Sequence, residues 1–218
     1  MSERLKIARL LLECGALRVS FKNPFTWSSG LVSPVYCDSR RLISIPRARK
    51  RIVDGMMKIL TDFSGRFDTV AGIALGGIPW ACFLADRYGL PVVLVRSSIK
   101  AYGTKKKVEG ILKSQAQVCL VEDLISTGSS ALRAIDALKQ EQEGVNLAGC
   151  VAIVSWGFEE VERKFEQKGT PLRVLTGVDD ILRQAREIGQ IDQEEYGKIL
   201  AFFEDPDAWY GDFFKKSK

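Results

Sequence analysis

Histidine is missing altogether from this chain of 218 residues. Its absence removes every Ser–His–Asp and Cys–His nucleophile system, every histidine-held metal and any histidine acid–base pair. Cysteine is sparse and scattered: Cys14, Cys37, Cys82, Cys119 and Cys150 form no C-x-x-C, and their number is odd. That pattern argues against a zinc site and reads as reduced thiols in a cytoplasmic protein. Long apolar runs are lacking too. The longest, Val70 to Ala85, is interrupted by Gly76, Gly77 and Pro79 and is too short to span a bilayer. Met1 to Glu13 carries Glu3, Arg4, Lys6 and Arg9 where a signal peptide would have its apolar core. The expectation is a soluble cytoplasmic protein without membrane contact.

What is present is ordinary in amount, 46% hydrophobic and 27% charged residues, as in globular proteins. The excess of 32 basic over 27 acidic side chains, +5, suits anionic small molecules and does not require nucleic acid. The length suits a single domain over residues 1–218. Short branched runs predict strands at Thr69–Ala74, Pro91–Val95, Gln117–Val121, Cys150–Val154 and Leu172–Thr176. Helix-period segments alternate with them at Ile78–Tyr88, Ser129–Gln140 and Phe158–Lys168. This rhythm predicts an α/β fold, a mostly parallel central sheet flanked by helices.

Ahead of the sheet, Leu5, Ala8 and Leu12 mark an amphipathic helix, and a second helix runs from Pro46 towards Phe63. Between them Phe21–Arg41 is rich in Ser, Pro and aromatic residues and reads as an irregular hood, spanning about 18–42. A helical extension occupies about 178–218. It contains Asp180–Ile188 and Asp192–Phe203, with Asp192 and Glu195 at capping-box spacing and a tail after Asp205 expected to fray.

The segment Gln117 to Ala131, QVCLVEDLISTGSSA, carries the most chemistry. An apolar strand ends in two acids, Glu122 and Asp123, followed by Leu124, Ile125 and a turn of small residues, Ser126-Thr127-Gly128-Ser129-Ser130. Small residues let successive amide N–H groups converge on one anion, and the following helix adds the positive end of its dipole. Hydroxyls supply further donors. No Gly-Lys-Ser/Thr follows, so a triphosphate loop is excluded and a monophosphate cradle is implied. The two carboxylates beside it suit the vicinal hydroxyls of a ribose; a plain strand–turn–helix with an acidic edge is the competing interpretation.

Val121 to Ser129 resembles the phosphoribosyl-pyrophosphate (PRPP) signature of type I phosphoribosyltransferases. Phe25-Thr26-Trp27-Ser28-Ser29-Gly30-Leu31-Val32-Ser33-Pro34-Val35-Tyr36 is similar to the hood segment of orotate phosphoribosyltransferases, as are Gly72–Pro79 and the helix Ala8–Leu17. The resemblance runs from about Leu5 to Val154. It implies the type I phosphoribosyltransferase fold with an N-terminal hood, a homodimer with shared active sites, and magnesium carried with PRPP. The implied reaction is displacement of pyrophosphate from PRPP by a pyrimidine base, orotate giving orotidine 5′-phosphate. It proceeds by positioning and electrostatics, so lack of histidine is no obstacle. Glu122 and Asp123 would meet the ribose hydroxyls, Ser126 to Ser130 the phosphate. Ala74, Leu75, Gly76 and Gly77 would approach pyrophosphate, with a non-proline strained peptide at Ala74–Leu75. Ser28 and Tyr36 of the hood, with Leu124, Ile125, Tyr102 and Trp156, would belong to the substrate-binding set. The basic segment Val95–Gly110 would reach the neighbouring subunit's site and present Arg96 and Lys100, which with Asp123 form the catalytic set. Taken alone, that segment is equally a solvated basic loop, and Gly76-Gly77 a tight turn.

The sequence departs from the family pattern in two places. In the loop, Ser97 stands where a lysine is expected and Tyr102 where a histidine is expected. After the strand ending at Val154, Ser155-Trp156 replaces Asp-Arg, whose arginine clasps the base carboxylate. An indole cannot imitate a guanidinium fork; Trp156 stacks on the base or plugs the pocket. Weak or altered orotate transfer is the expectation unless Arg40 or Arg41 of the hood reaches the carboxylate. The alternative function is a non-catalytic PRPP or nucleotide sensor on the same fold. Binding to nucleic acid through Arg47-Ala48-Arg49-Lys50-Arg51 is disfavoured, because such a run is usually a solvated helix face.

Overall fold

A computed structural model describes residues 1–27, 29–61, 67–96 and 106–216, with side chains to residue 211. The chain opens with α1 (Glu3–Glu13), whose N-terminus is capped by Ser2 Oγ accepting from the Leu5 amide at 3.3 Å. The hood follows: β1 (Leu17–Val19), β2 (Phe25–Thr26), β3 (Val32–Ser33), β4 (Val35–Cys37) and a 3-10 turn at Ser39–Ser44. β1 pairs antiparallel with β4 and β2 with β3, and the Trp27 indole N–H donates to the Val35 carbonyl at 2.9 Å. Pro46 then starts α2 (Pro46–Leu60), where its missing N–H costs nothing. Ala48, Ile52, Val53, Met56 and Leu60 recur at helical spacing and are buried.

The central unit alternates β5 (Thr69–Ile73), α3 (Gly77–Tyr88), β6 (Val92–Val95), β7 (Val108–Glu109), β8 (Gln117–Ile125), α4 (Ser129–Glu141), β9 (Asn146–Ser155), α5 (Glu159–Gln167) and β10 (Leu172–Gly177). Six strands pair in the order β10-β9-β8-β5-β6-β7, parallel except for β7 against β6. The mostly parallel α/β sheet is therefore as expected. Odd-numbered residues of β8, Cys119 and Val121, join a core built from α1, α2, α3 and the hood. Even-numbered Val118 and Leu120 join the other core, under α4 and α5. Each face of the sheet is sealed by helices.

Three features differ from expectation. β8 continues through Glu122 to Ile125, because β9 offers partners as far as Leu124↔Val154 and Ile125↔Ser155. Pairing across the ladder outweighs the low strand preference of the acids. The basic segment contributes an antiparallel edge strand, β7, that no alternation announced. The tail does not fray at Asp205: after α6 (Val178–Glu187) and α7 (Gln193–Glu204), it forms α8 (Pro206–Lys216). Asp205 Oδ1 accepts from the Ala208 amide at 2.9 Å, and Trp209 sets its ring edge-on to Phe202 at 5.5 Å. The capping box forms as expected, Glu195 N to Asp192 Oδ1 at 2.8 Å and Asp192 N to Glu195 Oε2 at 3.1 Å. The stretch that α2 was expected to cover towards Phe63 passes, after Leu60 and Thr61, outside the described residues.

Candidate active site

Parallel strands deliver their following loops to one edge of the sheet, and that edge holds two adjoining cavities. The larger, about 750 Å³, is lined by Ala74 and the continuous run Glu122 to Ala131. Arg133 and Lys164 border it as well, two cations that the sequence reading did not single out. Both lie on helices, at positions indistinguishable from ordinary surface charge until α4 and α5 are packed side by side.

The cradle has the geometry its composition implies. Gly128 precedes α4 at φ +73°, a left-handed conformation that glycine adopts without strain. A Cβ there would also lie 3.1 Å from Val161. Among the described residues no protein acceptor meets the amides of Thr127, Gly128, Ser129, Ser130 or Ala131. These donors stand open at the positive end of α4. Thr127 and Ser129 hydroxyls lie 3.0 Å apart. Among the described residues, Ser126 Oγ is buried and meets no partner, an unsatisfied group in a polar cavity that a ligand oxygen would complete.

Glu122 and Asp123 are adjacent in sequence but point to opposite faces of β8. Glu122 is 6% exposed, on the side of Cys150 and α4. Burial first, then the neighbouring Asp123, raises its carboxyl well above the usual range, so it holds its proton beyond the pH where an exposed glutamate would lose it. Asp123 is half-buried and faces the hood, where its Oδ2 accepts from the buried Ser39 hydroxyl at 2.7 Å. The two acids are thus unequal in access.

Gly76 and Gly77 are required by closeness. A Cβ on Gly76 would fall 2.4 Å from the Asp123 carboxylate, and one on Gly77 2.3 Å from the Val121 carbonyl. The Ala74–Leu75 peptide is cis, at the position expected for a strained non-proline bond, and Leu75 is 75% exposed.

The smaller cavity, about 330 Å³, lies between the hood and the sheet edge and shares Asp123, Leu124 and Ser126 with the cradle. Its hood side is made by Thr26, Trp27, Tyr36 and Arg40. Trp156 borders it but is only 2% exposed, stacked on Trp27 at 5.5 Å and 8° between planes, with Phe203 behind it. The indole is part of the packed wall. The Cys37 thiol on the same rim is pushed up to about 12 by burial and by the nearby Asp123 and Asp38 charges, so it is no nucleophile.

Arg40 and Arg41 diverge. Arg40 donates from Nε to Asp38 Oδ1 at 2.6 Å and from Nη2 to Tyr36 Oη at 2.9 Å, at the cavity mouth. Arg41 turns away, its Nε donating to the Cys14 carbonyl at 3.0 Å. Of the basic loop, Arg96 sits at the base of the β6–β7 hairpin, paired with Glu109 at 2.6 Å. Ser28, Ser97, Lys100 and Tyr102 lie outside the described residues.

A phosphoribosyl transferase domain model matches residues 41–183. Orotate phosphoribosyltransferase of Coxiella burnetii is 37% identical over 209 residues, 96% of this chain and 99% of the relative. The chain belongs to the orotate phosphoribosyltransferase family. Another member of that family, from Cutibacterium acnes, is 39% identical over 204 residues, 94% of each chain. The crystal structure of orotate phosphoribosyltransferase from Aeropyrum pernix superposes with a TM-score of 0.71 at 28% identity, covering 85% of this chain and 99% of that one. The α/β architecture described above is thus the type I phosphoribosyltransferase fold.

Proposed function

We propose that the protein transfers the phosphoribosyl group of PRPP to a pyrimidine base, converting orotate to orotidine 5′-phosphate and pyrophosphate. The observation that carries this reading is the contiguity of the two cavities through Asp123, Leu124 and Ser126. A ribose lying across that junction would have its phosphate on the cradle amides and its anomeric carbon facing the hood cavity. The base nitrogen bonds to that carbon as the bond to the pyrophosphate oxygen breaks; pyrophosphate leaves with the electron pair, and the proton of the nitrogen passes to the departing pyrophosphate or to solvent. Positive charge gathers on the ribose ring, and the Asp123 carboxylate lies where it opposes that charge.

Ser126 to Ser130 bind the phosphate, and Glu122 and Asp123 orient the ribose hydroxyls. Ala74 to Gly77 border the pyrophosphate. Arg96 and Lys100 act on the leaving group, with Tyr102 as a neutral hydrogen-bonding member. Hood residues Ser28 and Tyr36, with the Trp156 wall, frame the base. Among the described residues no three His, Cys, Asp or Glu side chains cluster as a metal cage. This fits magnesium, which binds through one or two carboxylates and substrate phosphates while keeping its waters. When bound it would neutralise pyrophosphate charge, and Asp123 is the carboxylate that would contribute to holding it. We further read residues 1–218 as one domain acting as a cytoplasmic homodimer. No helix among the described residues is long and apolar enough to cross a membrane.

The test is pyrophosphate release from PRPP, with orotate and without it. Orotate-dependent release is expected; binding of PRPP without release would support the sensor alternative. Asp123→Asn and Gly128→Val should each weaken PRPP binding by roughly 10-fold or more, through a lost charge and a blocked amide approach. Full PRPP affinity in both variants would sink the cradle assignment.

A further inference from the structure

The hood cavity poses an electrostatic problem for a carboxylated base. Its lining includes the Asp123 carboxylate, which repels an anion, and Trp156, which offers no charge. Among the described residues lining it, Arg40 is the one cation. Two anchors hold that guanidinium: Asp38 takes the Nε–H, and Tyr36 takes one N–H of Nη2. Both occupy the side edge of the fork. Among the described residues, nothing is bonded to Nη1, so the end edge formed by Nη1 and Nη2 stays open. A planar fork held on one edge is already oriented for two parallel bonds on the other.

We propose that Arg40 is the specificity-determining residue of the base site, its Nη1–Nη2 edge taking the carboxylate of a carboxylated pyrimidine. It thereby supplies from the hood the guanidinium that Ser155-Trp156 does not supply from the end of β9. The inference rests on the phosphoribosyl transfer proposed for this site. Arg41, the neighbouring candidate, is ruled out by direction, since its guanidinium is bonded to the Cys14 carbonyl and packs beside Gly15. Asp38 and Tyr36 are positioning residues in this scheme. The hydrogen bond to Asp38 first, with smaller help from the Asp38 and Asp123 charges, also raises the Arg40 pKa, though this adds little for a group that is charged anyway.

The experiment uses the full chain and two nucleotides that differ by one carboxylate, orotidine 5′-phosphate and uridine 5′-phosphate, titrated calorimetrically. The native chain should bind the carboxylated nucleotide about 10- to 100-fold more tightly, the worth of a charge-assisted fork. Arg40→Ala should erase that difference while leaving uridine 5′-phosphate affinity within about 2-fold of native. Arg40→Lys should recover only part of it, lacking the second donor in plane, and Arg41→Ala should keep it whole. If Arg40→Ala melts early, Arg40→Gln reads the same quantity with the stem retained. Three results would overturn the proposal: no discrimination by the native chain, discrimination surviving Arg40→Ala, or equal loss of both nucleotides. Failure of the transferase reading shows separately, as nucleotides that bind while PRPP and orotate release no pyrophosphate.

Discussion

At the residue scale, the adjacent acids of β8 carry unequal chemistry because a strand turns successive side chains to opposite faces. Asp123 reaches the hood and its hydroxyl partner Ser39, whereas Glu122 is enclosed beneath α4 and stays protonated longer. The linkage has a definite sign. A carboxyl whose folded value is raised keeps its proton in the native state while the unfolded chain releases it, so stability falls as pH climbs above the unfolded value near 4.5. Glu122→Gln removes that dependence. It should leave the melting temperature near native at pH 4 and raise it at pH 8, where the native chain bears the cost of ionising a buried acid. Equal melting shifts at both pH values would show that Glu122 is not the titrating group.

At the element scale, the hood, the end of β9 and α7 are joined by one aromatic layer. Trp27 stacks on Trp156, Phe202 meets Trp27 edge-on at 5.6 Å, and Phe203 leans on Trp156 at 5.5 Å. The C-terminal extension therefore backs the wall of the base cavity, and α8 continues the layer through Trp209. Trp156→Ala should cost about 3–5 kcal/mol, the usual result of emptying a buried indole site. Trp156→Arg buries a guanidinium in this layer and should destabilise at least as much. Denaturant midpoints with unchanged slopes would measure both. An arginine variant as stable as native would mean that the indole is not part of the packed wall.

At the scale of the whole molecule, the proposed catalytic set is divided. Asp123 lies on the sheet edge, while Arg96 marks the start of a basic segment whose two ends are joined by the β6–β7 pairing and whose later end is tied to α4 by Lys106 with Glu141 at 2.7 Å. A homodimer in which Lys100 crosses to the neighbouring site predicts complementation. Mixing Asp123→Asn chains with Lys100→Ala chains should regenerate about a quarter of native-like sites at equal ratio and random exchange, since only one of the two sites of a mixed dimer is intact. With subunit exchange verified, no recovery of activity would refute the shared site. In the basic run of α2, Arg49 bonds the Ile43 carbonyl, while Lys50 pairs with Asp54 and Arg51 with Glu3 at the surface.

The sequence by itself determined the alternation of strands and helices, the cradle and the capping box, because each is a local pattern whose cause lies within a few residues. Ser126 to Ser130 need only their own amides and the helix they begin. Gly76 and Gly77 were legible as a turn, but their reason, the approach of β8 to within Cβ distance, belongs to the assembled sheet. Tertiary structure alone decided which of Glu122 and Asp123 is enclosed, since burial is set by the element that covers a face. It placed Trp156 in a packed wall and separated Arg40 from Arg41, neighbours in sequence whose guanidinium groups leave in different directions. It also brought Arg133 and Lys164 to the rim of the cradle. Direction, enclosure and charge state depend on what the rest of the chain puts opposite a side chain, and no local pattern contains that information.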